Sequence, residues 1–354
     1  MIALFEWISN FLHQKFSYSL GIDLGTANTL IYSSRERGVT LNEPSMITID
    51  KRNGEIIAIG REAKQMLGKT PPPLEVIRPL RKGVIADFDL TERMLRYFIR
   101  KARTEGRSLL NPRIAICIPS GATDVEKRAV LQVARDAGAS QSYIIEEPMA
   151  GAIGTGVDIL AASGNMIVDI GGGTSEVAVI SLGGIVLYRS IKVGGDDLDL
   201  AILLYVKDQY RTIIGEITAE RIKLRIGNVY PSEDSQGANG FQVKGRSLAT
   251  GLPDIVTLHR DEIREACAGT IDMIAEIVNE ALEQTPPELA SDIKDKGIIL
   301  TGGGALINGL DRLISERTGM LTSVVENPLT AIAEGTGKAL EEMFLITRRK
   351  GIIY

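Results

Sequence analysis

One short pattern occurs twice in this chain and constrains its fold more than anything else in it. Leu20-Gly21-Ile22-Asp23-Leu24-Gly25-Thr26 returns in altered form as Ile167-Val168-Asp169-Ile170-Gly171-Gly172-Gly173-Thr174. Each copy is an apolar strand, an Asp, a Gly/Thr turn and a second apolar run, Thr29 to Tyr32 in one and Val177 to Ile180 in the other. Short apolar runs joined by Gly-rich turns are β-hairpins. The segments between alternate in period: Arg113 to Ile118 reads as a strand, and Leu95, Phe98, Ile99 and Ala102 mark a helix within Thr91 to Arg103. Thr123-Asp124-Val125-Glu126 is a capping box that opens a helix to about Ala137. The fold class is therefore α/β, with two related domains that each open on the same hairpin and are expected to face one another across a cleft. The polar, Gly-rich stretch from Ile226 to Gly251 is expected to be a loop-bearing peripheral subdomain.

The repeated Asp-plus-Gly hairpin suits a triphosphate. Turn glycines let backbone N–H groups approach phosphate oxygens, and Thr or Asn side chains extend that cradle. Asp23 and Asp169 would address one magnesium ion through its waters, because Mg²⁺ keeps most of its hydration shell. Either hairpin alone is more often an ordinary turn; two in matching context point to a site. A third element, Ile298 to Leu300 running into Thr301-Gly302-Gly303-Gly304-Ala305, removes side chains where a flat ring could lie, or is a tight strand-to-helix turn. Leu306, Leu310, Leu313 and Ile314 are expected on one face of the helix that follows. No Gly-Lys-Ser/Thr follows, so it is not a Walker A loop.

Composition narrows the classes. A length of 354 residues accommodates two ordinary domains, and 44% hydrophobic with 24% charged residues is that of a globular protein. The net charge of −5 gives no support to a nucleic-acid partner. With two histidines, His13 and His259, a His metal site or a Ser-His-Asp triad is improbable. Cys117 and Cys267 read as buried reduced thiols of a cytosolic protein. No apolar run reaches the roughly 18 residues of a spanning helix.

These motifs resemble the phosphate-1, phosphate-2 and adenosine motifs of the actin, sugar-kinase and DnaK-type ATPases. Glu146-Glu147-Pro148-Met149-Ala150 resembles their first connecting helix, and Glu326-Asn327-Pro328-Leu329-Thr330 to Glu341 the second. Within that superfamily, residues from about 18 to 345 resemble the MreB family of bacterial actins. The strings that carry the match are Gly25-Thr26-Ala27-Asn28-Thr29, Asn42-Glu43-Pro44-Ser45, Gly83-Val84-Ile85-Ala86-Asp87, Thr218-Ala219-Glu220-Arg221-Ile222-Lys223 and Thr285-Pro286-Pro287-Glu288-Leu289. Gly151 departs from the usual Ala of the family. The resemblance implies an actin-like fold, with domain I over 17–163 plus 328–354 and domain II over 164–327. The peripheral subdomain of domain II would span about 200–255.

The resemblance also implies roles, with ATP and Mg²⁺ as cofactors. Thr26, Ala27 and Asn28 would contact the β- and γ-phosphates, as would Gly172, Gly173 and Thr174. Glu220, Arg221, Ile222 and Lys223 would lie at ribose and adenine, although Glu220 and Lys223 could equally be an exposed i,i+3 ion pair. Gly302, Gly303, Gly304 and Ala305 would line the base pocket. Glu147 matches the carboxylate that positions the attacking water, with Glu146 the second choice; either could instead be a charge favoured at a helix N-terminus. The family implies slow ATP hydrolysis coupled to polymerisation, so the partners are first of all other copies of the chain. The others are the inner face of the membrane, MreC, MreD, RodZ and peptidoglycan synthases.

The first sixteen residues hold the only Trp and three of the seven Phe. At helical spacing Phe5, Ile8 and Leu12 fall on one apolar arc with Phe11 and Phe16, and Trp7 adds its ring. The segment reads as an interfacial membrane helix, worth about 1.5 kcal/mol per large side chain buried in lipid, or as a helix packed on its own domain. Leu109-Leu110, in a polar loop, would be a second membrane element or a tucked pair. The chain is accordingly expected to be cytoplasmic and membrane-associated. An FtsA-like division protein and a small-molecule kinase are the alternatives. The first carries its amphipathic helix at the other end; the second needs a substrate pocket that nothing in the sequence identifies.

Overall fold

A computed structural model describes residues 18–102, 111–231 and 240–350, with side chains described as far as residue 342. The chain divides into two units, one of Met1–Asp158 with Thr330–Tyr354 and one of Ile159–Leu329.

The first unit is built on a five-stranded sheet. Its strands are β1 (Ser19–Leu24), β2 (Asn28–Ser33), β3 (Gly38–Pro44), β9 (Arg113–Ile118) and β10 (Gln141–Glu146), in the order β10-β9-β1-β2-β3. β1, β2 and β3 form an antiparallel meander, and β9 joins β1 in parallel, as β10 joins β9. The strands numbered between these five are short: β4 (Ile47–Asp50), β5 (Glu55–Ile59) and β6 (Leu74–Ile77) form a small sheet, and β7 (Leu80–Arg81) pairs with β8 (Val84–Ile85). The core gathers Leu20, Ile22, Ile31, Ile114 and Ile116 from the main sheet with Met94, Leu95, Phe98 and Ile99 from the helix Phe88–Ala102.

The second unit repeats the topology. β11 (Asn165–Ile170), β12 (Ser175–Ser181) and β13 (Gly184–Ile191) form an antiparallel meander. A further three-stranded sheet has the order β14 (Thr212–Ile213), β15 (Phe241–Ser247), β16 (Pro253–Leu258). β17 (Ile298–Thr301) and β18 (Thr322–Val324) then extend the meander in parallel, giving the order β13-β12-β11-β17-β18. Every residue of β11 and β12 is buried, which is why these strands read as continuous apolar runs rather than alternating ones.

Several local expectations are met. The Thr123 capping box is present, its helix running Asp124–Asp136, and both cysteines are buried and free. One is corrected. The helix after the third glycine motif is not continuous: a 3-10 turn at Gly303–Leu306 is followed by a separate helix Leu310–Thr318. Leu310 and Ile314 are buried there, but Leu306 is 51% exposed, because Gly309 at φ 84° restarts the chain direction between them. Within the expected peripheral subdomain, β15 pairs with β16 from Phe241↔Leu258 to Arg246↔Pro253.

Within the first unit, the helices Glu147–Thr155 and Ala331–Lys350 cross at backbone contact. A Cβ on Gly335 would lie 1.7 Å from the Ala150 carbonyl oxygen, and one on Gly154 would lie 1.9 Å from that of Ala331. Gly21 in turn lets β1 reach the second helix, since a Cβ there would lie 2.3 Å from the Gly337 nitrogen, and Gly337 leaves room for the Tyr32 ring of β2. Among the described residues, no helix is long and apolar enough to cross a membrane.

Candidate nucleotide site

The two aspartates occupy equivalent places. Asp23, next to last in β1, is in register with Cys117 on the parallel neighbour β9. Asp169, next to last in β11, is in register with Thr301 on the parallel neighbour β17. In each case the neighbour donates to the carboxylate: Cys117 Sγ to Asp23 Oδ1 at 3.5 Å, and Thr301 Oγ1 to Asp169 Oδ1 at 3.1 Å. Asp169 is 2% exposed, and burial pushes its pKa up to about 6 against the lowering effect of the Thr301 hydrogen bond. Burial, followed by the charges of Asp23 and Glu147, raises the Cys117 thiol well above its ordinary value. Cys117 is therefore a neutral donor. Sequence reasoning placed Cys117 as a buried thiol and Thr301 in the third glycine motif, but missed both as donors to these carboxylates, because their partners lie far along the chain.

The turn after Asp23 is braced from two sides. Gly83 N–H donates to Thr26 Oγ1 at 3.0 Å, Ser45 Oγ donates to the Gly25 carbonyl at 2.7 Å, and Ser45 N–H donates to that of Ala27 at 3.0 Å. Thr29 and Ser45 hydroxyls meet at 2.9 Å. Ser45 and Gly83 thus hold Thr26, Ala27 and Asn28 in place.

The turn after Asp169 is braced by a segment that sequence reasoning missed. Gly195 and Asp196, at the start of the helix Gly195–Tyr210, donate their N–H groups to the Gly171 and Gly172 carbonyls at 2.9 and 2.8 Å. Gly194 permits this approach, because a Cβ there would lie 2.7 Å from both carbonyl oxygens. Gly173 and Thr174 are buried in the turn. The Gly194-Gly195 pair was the available signal.

The helix Glu216–Ile226 carries Glu220, Arg221, Ile222 and Lys223. Ile222 is fully buried in the core and Arg221 is exposed. Lys223 is no exposed partner of Glu220: its ammonium reaches Asp199 Oδ1 at 2.9 Å and the Gly195 carbonyl at 2.7 Å. Beside β11, Gly302 adopts φ 83° with its Cα against the Ile170 carbonyl, while Ala305 is buried in the core. Glu147 opens the helix Glu147–Thr155, whose N-cap is Glu146 at the end of β10. In the first unit its side chain lines a hollow with Leu24, Leu80, Val84, Cys117 and Pro119. Phe5, Trp7, Ile8, Leu12, Leu109 and Leu110 lie outside the described residues.

Residues 17–348 match the family model of the MreB/Mbl protein. The chain belongs to the MreB/Mbl family. It is 51% identical over 330 residues to the cell shape-determining protein MreB of Escherichia coli K12, covering 92% of this chain and 94% of that one. It is 45% identical over 335 residues to the cell shape-determining protein Mbl of Bacillus subtilis 168, covering 95% and 99%. The crystal structure of MreB5 of Spiroplasma citri bound to AMPPNP superposes with a TM-score of 0.88 at 36% identity, over 95% of this chain and 99% of that one. The fold is thus the actin-like fold of the MreB family, with two related α/β units.

Proposed function

We propose that this protein is an ATP-dependent, membrane-associated cytoskeletal filament protein that determines cell shape by organising peptidoglycan synthesis. The observation that carries the nucleotide part is the repeated hairpin, in which each Asp is gripped by a hydroxyl or thiol on the next parallel strand and followed by a turn of backbone donors. A buried carboxylate such as Asp169, faced by a neutral Thr hydroxyl, suits a hydrated cation close by. Bound magnesium would neutralise phosphate charge and leave the γ-phosphoryl open to attack by water. Thr26, Ala27 and Asn28 in one unit, and Gly172, Gly173 and Thr174 in the other, would bind phosphate oxygens. Glu220 and Lys223 would bind the ribose and base edges, and Gly302 to Gly304 would line the base. Asp23 and Asp169 would accept hydrogen bonds from metal-bound water.

Glu147 would orient the attacking water and take up its proton, with the low-dielectric hollow at Cys117 fixing the carboxylate. The S. citri relative was crystallised with AMPPNP, which supports the assignment of an adenine nucleotide. By family resemblance the polymer forms from identical copies, and a repeated head-to-tail contact that does not close gives a filament. Residues 1–16 and Leu109-Leu110 would attach it to the inner membrane face, where MreC, MreD, RodZ and peptidoglycan synthases are the proposed partners.

Two variants test the site. Asp169→Ala is expected to weaken Mg-ATP binding in calorimetry, whereas Glu147→Ala is expected to keep ATP and slow phosphate release by about 10²–10⁴-fold. Unchanged affinity in the first removes Asp169 from the site. Slowing by Glu146→Ala instead of Glu147→Ala transfers the role to its neighbour.

A further inference from the structure

The contacts of Lys223 connect two parts of the proposed site that no motif joins. An ammonium has three N–H donors. Here it lies 2.9 Å from Asp199 Oδ1 as an ion pair and donates a hydrogen bond to the Gly195 carbonyl at 2.7 Å. The side chains of Lys223 and Asp199 are each only 16% exposed. Asp199 lies on the helix Gly195–Tyr210, one turn beyond its start, and Lys223 on the helix Glu216–Ile226. The same Gly195 donates its N–H to the Gly171 carbonyl, and Asp196 donates to that of Gly172. An unbroken line of contacts therefore runs from the helix bearing Glu220, through the ion pair and the start of the next helix, to the turn at Gly171–Thr174. Gly194 leaves no slack in it, since even a methyl group there would strike the turn.

We propose that Asp199 and Lys223 form a positioning pair that couples the nucleoside end of the site to the phosphate turn, so that the turn is set for a γ-phosphate when the Glu216–Ile226 helix is engaged. Asp199 is not itself a ligand in this arrangement. It holds the Lys223 ammonium over the Gly195 carbonyl, and that contact presses Gly195 and Asp196 onto the turn. Loss of either partner leaves a buried charge without its counter-charge and frees the helix start to move. The proposal rests on the nucleotide-binding reading and adds to it a residue responsible for selectivity between tri- and diphosphate.

The test uses the full-length chain with Mg-ATP and Mg-ADP, comparing wild type, Asp199→Asn, Lys223→Met and the double variant. Coupling between sites is typically 5–150-fold, so each single variant is expected to lower the ratio of ATP to ADP affinity by about tenfold, and the double variant no further. In the nucleotide-free protein the Gly195 and Asp196 amides are expected to exchange about tenfold faster in Asp199→Asn. Lys223→Arg keeps the charge and is expected to hold the ratio within about threefold of wild type. If Asp199→Asn does not fold, Lys223→Met against Lys223→Arg carries the comparison. A ratio within twofold of wild type in variants that still bind, or equal losses for ATP and ADP with unchanged amide exchange, would overturn the coupling alone. A wild-type chain that binds neither nucleotide would overturn the coupling and the reading beneath it.

Discussion

At the scale of single residues, the chemistry turns on carboxylates kept out of water. Asp169 has its pKa pushed up to about 6, mainly by burial, and Asp199 likewise, with Lys223 opposing the shift. The sign follows directly. A raised folded-state value makes the folded form bind protons more tightly than the unfolded form. The corresponding stability is present below the ordinary Asp value near 4 and is lost as pH rises through about 6. For Asp169 the cost by pH 7 is on the order of 3 kcal/mol. Denaturant unfolding of the nucleotide-free protein is therefore expected to show stability falling between about pH 4 and 6, with a shallower fall in Asp169→Asn. An equal slope in that variant would place the desolvated charge elsewhere. Asp23 and Asp169 were legible in the sequence because an Asp between an apolar strand and a Gly turn is a local pattern. Their donors Cys117 and Thr301, and the Asp199 partner of Lys223, were not. Those contacts are set by strand register and helix packing across long sequence separations.

Among secondary-structure elements, the apolar period located strands and helices well where one face meets the core. It failed where an element is short or its start depends on backbone contact. The break between Leu306 and Leu310 depends on the φ of Gly309, which no spacing of leucines reveals. The crossing of Glu147–Thr155 with Ala331–Lys350 likewise rests on glycines rather than on a hydrophobic stripe. Gly335→Ala would push a methyl group into the Ala150 carbonyl and force the helices apart. It is expected to cost about 3 kcal/mol, near the upper end of overpacking penalties, in equilibrium unfolding. Because Glu147 opens one of these helices, phosphate release should slow as well. A variant as stable as wild type would show that the crossing has room to give.

For the whole molecule, the two sheets repeat one topology, and that repeat was the first thing the sequence offered. The proposed membrane attachment rests on segments outside the described residues. The aromatic residues Phe5, Trp7, Phe11 and Phe16 in so short a segment motivate the membrane reading. As proposed, one such weakly charged segment would hold a monomer poorly, but a filament would repeat it, and linked weak contacts raise avidity steeply. Deleting residues 1–16 is expected to leave ATP binding intact and to reduce liposome co-sedimentation sharply, with little effect of salt on the wild type. Liposome binding that survives the deletion, or that collapses in moderate salt, would remove residues 1–16 from the proposed membrane attachment.

Nucleotide control of assembly is tested by sedimentation of the purified protein with and without Mg-ATP. The protein is expected to pellet as polymer with Mg-ATP, to stay in the supernatant without nucleotide, and to lose the ATP-dependent pellet in Asp169→Ala. A pellet of equal size in all three conditions, or none in any while the protein phosphorylates a sugar, would contradict it.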